Sequence, residues 1–316
     1  MKRREFLETT ITGAGSAALG GLLPVHSSNA NESPTRIQPK TPLSTDPCAI
    51  VRLTEQIECS RIGLGTGVHG GMRACNMTRM DRKEALDVFR FAYDSGIRLF
   101  DLADLYGTHD LCREALAGKP RDSYTIFSKI WCHPGALPEN ERPTADVLIE
   151  RFLKELDTDY IDLIQIHCMM DDQWDKKFAH QFEPLEKLKE KGLIRAHGVS
   201  IHALSALKKA AVHPWVDALH TRLNTANTRM EGSIEENVEA INTAHQNGKG
   251  VIIMKVLGEG AIQDPLERKR STDFVTRLPS KDVMVVGFEK RQHVTEFLTN
   301  VAETLNAMET EMNASK

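Results

Sequence analysis

The chain lacks the features that mark metal clusters, nucleic-acid binders and membrane spans. Its six cysteines include no CxxC pair, so neither a structural zinc site nor an iron–sulfur cluster is indicated. Basic and acidic residues are interspersed, and the net charge is −4. The sequence has no stripe of basic residues of the kind that indicates nucleic-acid binding. The apolar stretch from Ile11 to Leu23 is shorter than the roughly 20 residues that cross a bilayer. We therefore expect no stable membrane span.

The N-terminus has the pattern of an export signal. Arg3 and Arg4 precede the apolar stretch, and a segment of small residues ending at Ala30 follows it. This order is typical of a twin-arginine signal peptide cleaved after Ala30. It implies the twin-arginine export machinery as a partner and a periplasmic location. Glu8 stands where such signals often carry lysine, so an unused leader on a cytoplasmic protein stays the alternative.

The remaining chain is predicted to hold one catalytic domain. Residues 31–49 are rich in Pro, Ser and Thr and read as a linker, residues 50–308 form the domain, and residues 309–316 form a polar tail. A domain of this length suits a single barrel of parallel strands, which commonly needs about 250 residues.

Helical and strand-like segments alternate through that domain. Amphipathic patterns predict helices at residues 82–95, 111–117, 144–156, 182–191, 204–211, 233–248 and 291–307. Short apolar runs between them predict parallel strands, and residues 50–59 predict a short N-terminal β-hairpin. The alternation indicates an α/β fold of the (β/α)8 TIM barrel type. A doubly wound sheet would place a GxGxxG loop before a helix, whereas the glycines at 63, 65 and 67 precede none.

Three of the predicted strands end in residues that can hold or transfer a proton. Asp101 and Tyr106 follow one strand, Lys129 ends the next, and His167 ends the third. Because the carboxyl ends of barrel strands meet on one face, we expect these side chains to converge. Asp101 would keep Lys129 charged, the charge would lower the pKa of the Tyr106 phenol, and the phenol would protonate an oxygen on which charge develops. Each residue alone has an ordinary structural explanation, but four at successive strand ends do not.

The order of these four residues along the chain, with the strand at residues 194–200 after them, resembles the pattern of the aldo-keto reductase family. The resemblance runs from about residue 51 to about residue 301 and implies a catalytic tetrad of Asp101, Tyr106, Lys129 and His167. It implies an oxidoreductase that transfers hydride between a nicotinamide and an aldehyde, ketone or sugar. The implied cofactor is NADP, with NAD as the alternative.

The resemblance also implies contacts to cofactor and substrate. The cofactor contacts expected are Gly65, Thr66, Gly67, Ser200, His220, Met254, Lys255, Gly287, Lys290 and Arg291. The substrate pocket is expected to include His69, Trp131 and His133.

Some of the positions expected at the cofactor depart from the common family pattern or carry a second explanation. Ile201 and His220 stand where the family commonly has Asn and Gln, which leaves carboxamide recognition open among Ser200, His202 and His220. Lys290 and Arg291 suit the extra phosphate of NADP at a helix N-terminus, but they also suit a solvated helix start.

Two other functions remain open at this point. A metal-dependent hydrolase on the same barrel would use residues such as His69, Asp104 and His202 as ligands, although it gives Tyr106 and Lys129 no role. We expect no metal site. A non-catalytic redox sensor that retains the nucleotide is the other alternative, against which the complete tetrad argues.

Overall fold

The structure is a computed structural model that describes residues 37–315. The predicted signal peptide, residues 1–30, lies outside the described residues. Within residues 37–315, no helix is both long and apolar enough to cross a bilayer.

The strands form a two-stranded hairpin and a closed barrel. The hairpin pairs β1 (Ile50–Arg52) with β2 (Glu58–Ser60) in antiparallel register. The barrel strands are β3 (Ile62–Gly65), β4 (Leu99–Asp101), β5 (Thr125–Ile130), β6 (Ile161–Met169), β7 (Ile194–Ile201), β8 (Ala218–Arg222), β9 (Gly250–Met254) and β10 (Val283–Gly287). Every neighbouring pair is parallel, and β10 pairs with β3 to close the ring. The predicted (β/α)8 barrel with an N-terminal hairpin is confirmed.

Helices lie between the strands. They are α1 (Asn76–Arg79), α2 (Arg82–Asp94), α3 (His109–Ala115), α4 (Ala145–Leu156), α5 (Trp174–Lys177), α6 (Phe182–Glu190), α7 (Leu204–Ala210), α8 (Ile234–Gln246), α9 (Pro265–Arg277) and α10 (Arg291–Ala314). The seven predicted helices are present with small shifts at their ends. α10 continues to Ala314, so most of the predicted polar tail is helical and exposed.

The helix α9 has no counterpart in the sequence prediction. Most of its side chains are charged or polar, which hides the apolar periodicity on which that prediction depends. Its start signal is nevertheless strong, because the Asp264 side chain accepts hydrogen bonds from the Leu266 and Glu267 amides and Pro265 occupies the first turn.

The hairpin fills the end of the barrel opposite the strand carboxyl termini. Leu53 and Ile57 have no exposed surface and belong to the same apolar cluster as Leu99, Phe127 and Leu163 from inside the barrel. Burial of a side chain such as Leu53 contributes about 1.5–3 kcal/mol to folding. The amino end of the barrel is therefore closed, and access is left to the carboxyl end.

Part of the predicted linker packs against that closed end. Lys40 Nζ donates to the Lys249 carbonyl at 2.5 Å and to the Asp282 carboxylate at 2.8 Å. The same carboxylate accepts the Val251 amide at 2.8 Å. Residues 37–49 are thus held to the barrel by a part-buried ion pair, although they form no core of their own.

Candidate active site

Asp101 and Lys129 form a buried ion pair at the carboxyl end of the barrel. Asp101 is the last residue of β4, and Lys129 lies one residue before the end of β5. Lys129 Nζ donates to Asp101 Oδ1 at 2.6 Å and to the Leu102 carbonyl at 3.0 Å. Burial raises the pKa of Asp101, but the charge of Lys129 and the His220 ring outweigh burial and hold it at about 2. The carboxylate is therefore ionised throughout the physiological range.

Tyr106 and His167 meet above that pair. The Tyr106 hydroxyl lies 3.2 Å from His167 Nε2, with the rings edge to face at 5.5 Å between centroids. Lys129 Nζ lies 5.5 Å from the centre of the Tyr106 ring. All four residues predicted as the tetrad are thus brought together, from three neighbouring strands and the turn after β4.

Two glycines provide the space for the Tyr106 ring. A Cβ on Gly67 would lie 2.2 Å from Tyr106 Cζ, and one on Gly70 would lie 2.5 Å from Tyr106 Cδ1. The aromatic ring therefore rests against backbone that carries no side chains. The predicted Gly67 contact serves to place the phenol as well as to line the groove.

The pKa of the Tyr106 phenol is raised, whereas the sequence reasoning expected the Lys129 charge to lower it. Burial, followed by the Asp101 charge, raises the pKa of the Tyr106 phenol well above its ordinary value. The lysine ammonium faces the ring and donates hydrogen bonds to Asp101 and the Leu102 carbonyl, so burial of the phenol outweighs any lowering by the lysine charge. Burial likewise lowers the pKa of Lys129. Tyr106 is consequently a firmly protonated phenol.

His167 is held in its neutral form. Burial lowers the pKa of its ring well below the ordinary value, and the positive charge of Lys129 lowers it further. A neutral imidazole carries one proton. With that proton on Nε2, the ring donates to the Tyr106 oxygen and leaves the Tyr106 O–H free to donate elsewhere.

Asp104 anchors the turn that carries Tyr106, a role that the sequence reasoning missed. It begins the 3-10 turn Asp104–Tyr106 and is buried. Its carboxylate accepts from Arg73 Nε at 2.9 Å and from Arg151 Nη2 at 2.7 Å. Two cations from distant parts of the chain therefore fix this turn. Its position three residues after Asp101 is the only sequence signal for such a role.

His220 lies behind the tetrad and not in the groove where it was expected to contact the nicotinamide. The residue has no exposed surface, and its Nε2 lies 3.3 Å from Asp101 Oδ1, the oxygen that also accepts from Lys129. Its ring packs edge to face on Phe127. His220 is therefore placed to support Asp101, and the carboxamide contact it was expected to make is not what this geometry favours.

A long groove runs from the tetrad between the loops after β3, β9 and β10. It encloses about 590 Å³ and begins beside Asp101 and Tyr106, within the range of cofactor sites. Six of the predicted cofactor residues line it: Gly65, Gly67, Met254, Lys255, Gly287 and Lys290.

The far half of this groove carries groups that suit a phosphate. Lys290 and Arg268 line its wall together with Gln292 and Asn300. Lys290 is also the residue that precedes α10, whose first amides receive no side-chain cap. Free amides at the start of a long helix, beside a cation, favour a bound phosphate.

Besides His220, three predicted cofactor residues lie outside the groove lining. Thr66 Oγ1 donates to the Asp101 carbonyl at 2.9 Å, and Ser200 Oγ accepts the Cys168 amide at 2.8 Å, so both hydroxyls bond inside the protein. Arg291 Nε pairs with Asp87 Oδ2 at 2.6 Å. The Arg291 side chain lines a neighbouring surface cavity, and Lys290 lines both that cavity and the groove.

Two of the three predicted substrate residues sit beside His167. The Trp131 ring lies edge to face with His167 at 5.6 Å, and His133 Nε2 lies 3.1 Å from the His167 carbonyl oxygen. His69 is exposed on the opposite side, where its backbone amide donates to Glu259 Oε1 at 3.3 Å. Glu259 also pairs with Lys255 at 2.6 Å, so it joins the loops on the two sides of the groove. No sequence pattern marked Glu259.

A metal-dependent hydrolase finds no support in this arrangement. Among residues 37–315, no group of three His, Cys, Asp or Glu side chains is placed to hold a metal ion. All six cysteines fall within that range and are free thiols.

Comparisons with known proteins agree with the barrel fold. The sequence model of the Aldo/keto reductase family matches residues 61–315. An aldo-keto reductase of Bacillus subtilis, YhdN, is 33% identical over 195 residues, which cover 58% of this chain and 54% of that protein. The chain spans about half the length of this and other curated relatives that it matches.

Solved structures share the fold. A putative aldo-keto reductase from Pseudomonas aeruginosa superposes with a TM-score of 0.66 at 23% identity, over 82% of this chain and 96% of that one. An aldo-keto reductase from Klebsiella pneumoniae, solved in complex with NADPH, superposes with a TM-score of 0.59 at 22% identity, over 80% and 89% of the two chains.

Proposed function

The chain belongs to the aldo/keto reductase family, and on this premise we propose that it is an NAD(P)H-dependent oxidoreductase that interconverts a carbonyl substrate and its alcohol. One observation carries the proposal. The protonated Tyr106 hydroxyl and the neutral His167 ring lie 3.2 Å apart at the end of a groove of cofactor size.

Tyr106 acts as the proton donor. Its raised pKa keeps the proton on the phenol until charge develops on the substrate oxygen. His167, donating through Nε2, then stabilises the phenolate oxygen that Tyr106 leaves behind. Lys129, below the ring, adds a positive charge, and Asp101 keeps that lysine protonated inside the barrel. The nicotinamide supplies the hydride when bound.

The groove residues are proposed to hold NADP(H). Met254, Lys255 and Gly67 lie nearest the tetrad end, and Lys290 with the start of α10 suits the phosphates. The Klebsiella relative in complex with NADPH is consistent with this choice. The proposed substrates are small aldehydes, ketones or sugars that fit beside Trp131 and His133.

Titration of the purified domain with NADPH and with NADH, followed by protein fluorescence, tests the cofactor. If Lys290 contacts the extra phosphate, Lys290→Ala should weaken the binding of NADPH more than the binding of NADH. Lys83→Ala is a matched control, because Lys83 lines the neighbouring surface cavity but not the groove. A protein that binds neither nucleotide would contradict the proposed function.

We further propose that the twin-arginine signal directs export to the periplasm. The proposal rests on Arg3-Arg4, the apolar stretch that follows them and the small residues ending at Ala30. Fractionation of cells that express the full chain, with mass spectrometry of the mature N-terminus, tests it. Replacing both arginines by lysine should leave the protein in the cytoplasm. Equal distribution of the two forms would contradict the proposal.

A further inference from the structure

Cys168 has an unusual backbone conformation beside the active site. Its φ is +73°, in the left-handed region that a cysteine seldom adopts. It lies in an irregularity of β6 between Ile166 and Met169, and its amide is held by Ser200 Oγ at 2.8 Å. Such strain persists only where the surroundings determine it, and it concentrates at functional sites.

The conformation brings three sulfur and nitrogen groups together. Cys168 Sγ lies 2.9 Å from His202 Nδ1 and 3.7 Å from the thioether sulfur of Met170. Two metal–sulfur bonds of about 2.3 Å span the distance between the two sulfurs. Met170 is 55% exposed, so an ion can reach the group from solvent.

We propose that Cys168, Met170 and His202 bind a monovalent soft metal ion, copper(I). A thiolate, a thioether and an imidazole form a ligand set that favours copper(I) over hard ions such as magnesium or calcium. The site uses no residue of the proposed tetrad and does not depend on turnover.

The charges around the site favour a monovalent ion. Binding replaces the thiol proton: Cys168–SH and Cu⁺ give Cys168–S–Cu and H⁺, with no change in oxidation state. The net charge of the site is therefore unchanged. A divalent ion would instead add one positive charge close to Arg222, whose Nη2 lies 2.6 Å from His202 Nδ1. On binding, Arg222 releases this nitrogen and keeps its ion pair with Glu231.

The sulfur ligands select in the same direction. Hard ions prefer oxygen ligands, whereas an ion that forms a strong bond to sulfur displaces the thiol proton.

Silver(I), a stable monovalent soft ion, is the probe for the test. Isothermal titration of the purified protein at neutral pH should show one silver(I) bound per chain, with about one proton released per ion. Met170→Leu should weaken binding by about tenfold or more, since even residues that only orient metal ligands contribute this much. Cys132→Ser is the matched control, because Cys132 is the other cysteine with partly exposed surface, and it should change nothing.

Three outcomes would overturn the proposal. They are unchanged affinity in Met170→Leu, loss of binding in Cys132→Ser, and zinc(II) binding as tight as that of silver(I). Met170 is largely exposed, so its replacement should not impair folding, and an unchanged melting temperature verifies this. X-ray absorption of the bound ion should show two sulfur ligands and one nitrogen ligand.

Discussion

Lys129 and Asp101 form a buried ion pair at the carboxyl end of the barrel. The ammonium donates to the carboxylate at 2.6 Å, and their side chains are only 1% and 7% exposed. His220 approaches the same oxygen at 3.3 Å. A charge so completely removed from water is tolerated only while its partner is present, because an unpaired buried ion carries a large desolvation penalty.

Replacement of either partner of this pair should therefore destabilise the fold as well as end catalysis. We expect Asp101→Asn to lower the free energy of unfolding by about 3–5 kcal/mol, because it leaves Lys129 charged and unpaired. The double variant Asp101→Asn/Lys129→Met should lose less free energy of unfolding than the two single variants lose in sum, since the groups interact directly. Denaturant unfolding of the four proteins measures this coupling. Strictly additive losses would show that the two charges do not depend on each other.

Tyr106→Phe should remove the proton donor and leave the groove intact. The phenylalanine ring keeps the packing on Gly67 and Gly70, so nucleotide affinity should change little. The turnover number for carbonyl reduction should fall by about 10²- to 10⁴-fold, the usual contribution of a positioned general acid. Parallel measurement of kcat and of the nucleotide dissociation constant separates the two effects. Wild-type turnover in the variant would remove Tyr106 from this role.

Gly67→Ala tests the placement of the phenol without touching the tetrad. The new Cβ would fall 2.2–2.7 Å from ring atoms of Tyr106, so the ring must move. A displacement of about 1 Å can cost about 10²-fold in rate. Gly71→Ala is the matched control, because a Cβ there meets nothing within 4 Å. We expect kcat to fall in the first variant and to stay unchanged in the second; equal rates would show that the ring is free to adjust.

The tetrad could be predicted from the sequence because its geometry follows from topology. Asp101, Lys129 and His167 each lie at or near the carboxyl end of a parallel strand, and such ends meet on one face of a barrel whatever the details of packing. Tyr106 follows Asp101 by a short turn, which leaves it little freedom. Recognition of the strands was therefore enough to bring the four residues together.

The position of His220 could not be predicted in the same way. It occupies a strand position where the groove was expected, yet the ring is buried on Phe127 against Asp101. Whether a strand-end side chain points into the groove or beneath it depends on strand stagger, which periodicity does not report. The raised pKa of Tyr106 could not be predicted either, because its largest cause is burial of the phenol, and periodicity does not report how deeply a side chain in a turn is buried.

The directions of these pKa values predict the pH dependence of the reaction. Burial raises the pKa of Tyr106 and lowers that of His167, so between about pH 6 and 9 neither group changes its charge. Carbonyl reduction, which needs the protonated phenol, should be constant over this range. Alcohol oxidation needs the phenolate, whose population rises with pH, and it should accelerate towards the alkaline end.

Rate profiles in both directions, at saturating nucleotide, check this expectation. Burial lowers the pKa of the Lys129 ammonium, so reduction should decline at alkaline pH as this residue loses its proton. His167→Gln is the informative control, since it removes the imidazole and should lower the rate without introducing a new inflection. An inflection near about pH 6.5 in the wild-type reduction profile, absent from His167→Gln, would instead identify a titrating imidazole as the proton donor and displace Tyr106 from that role.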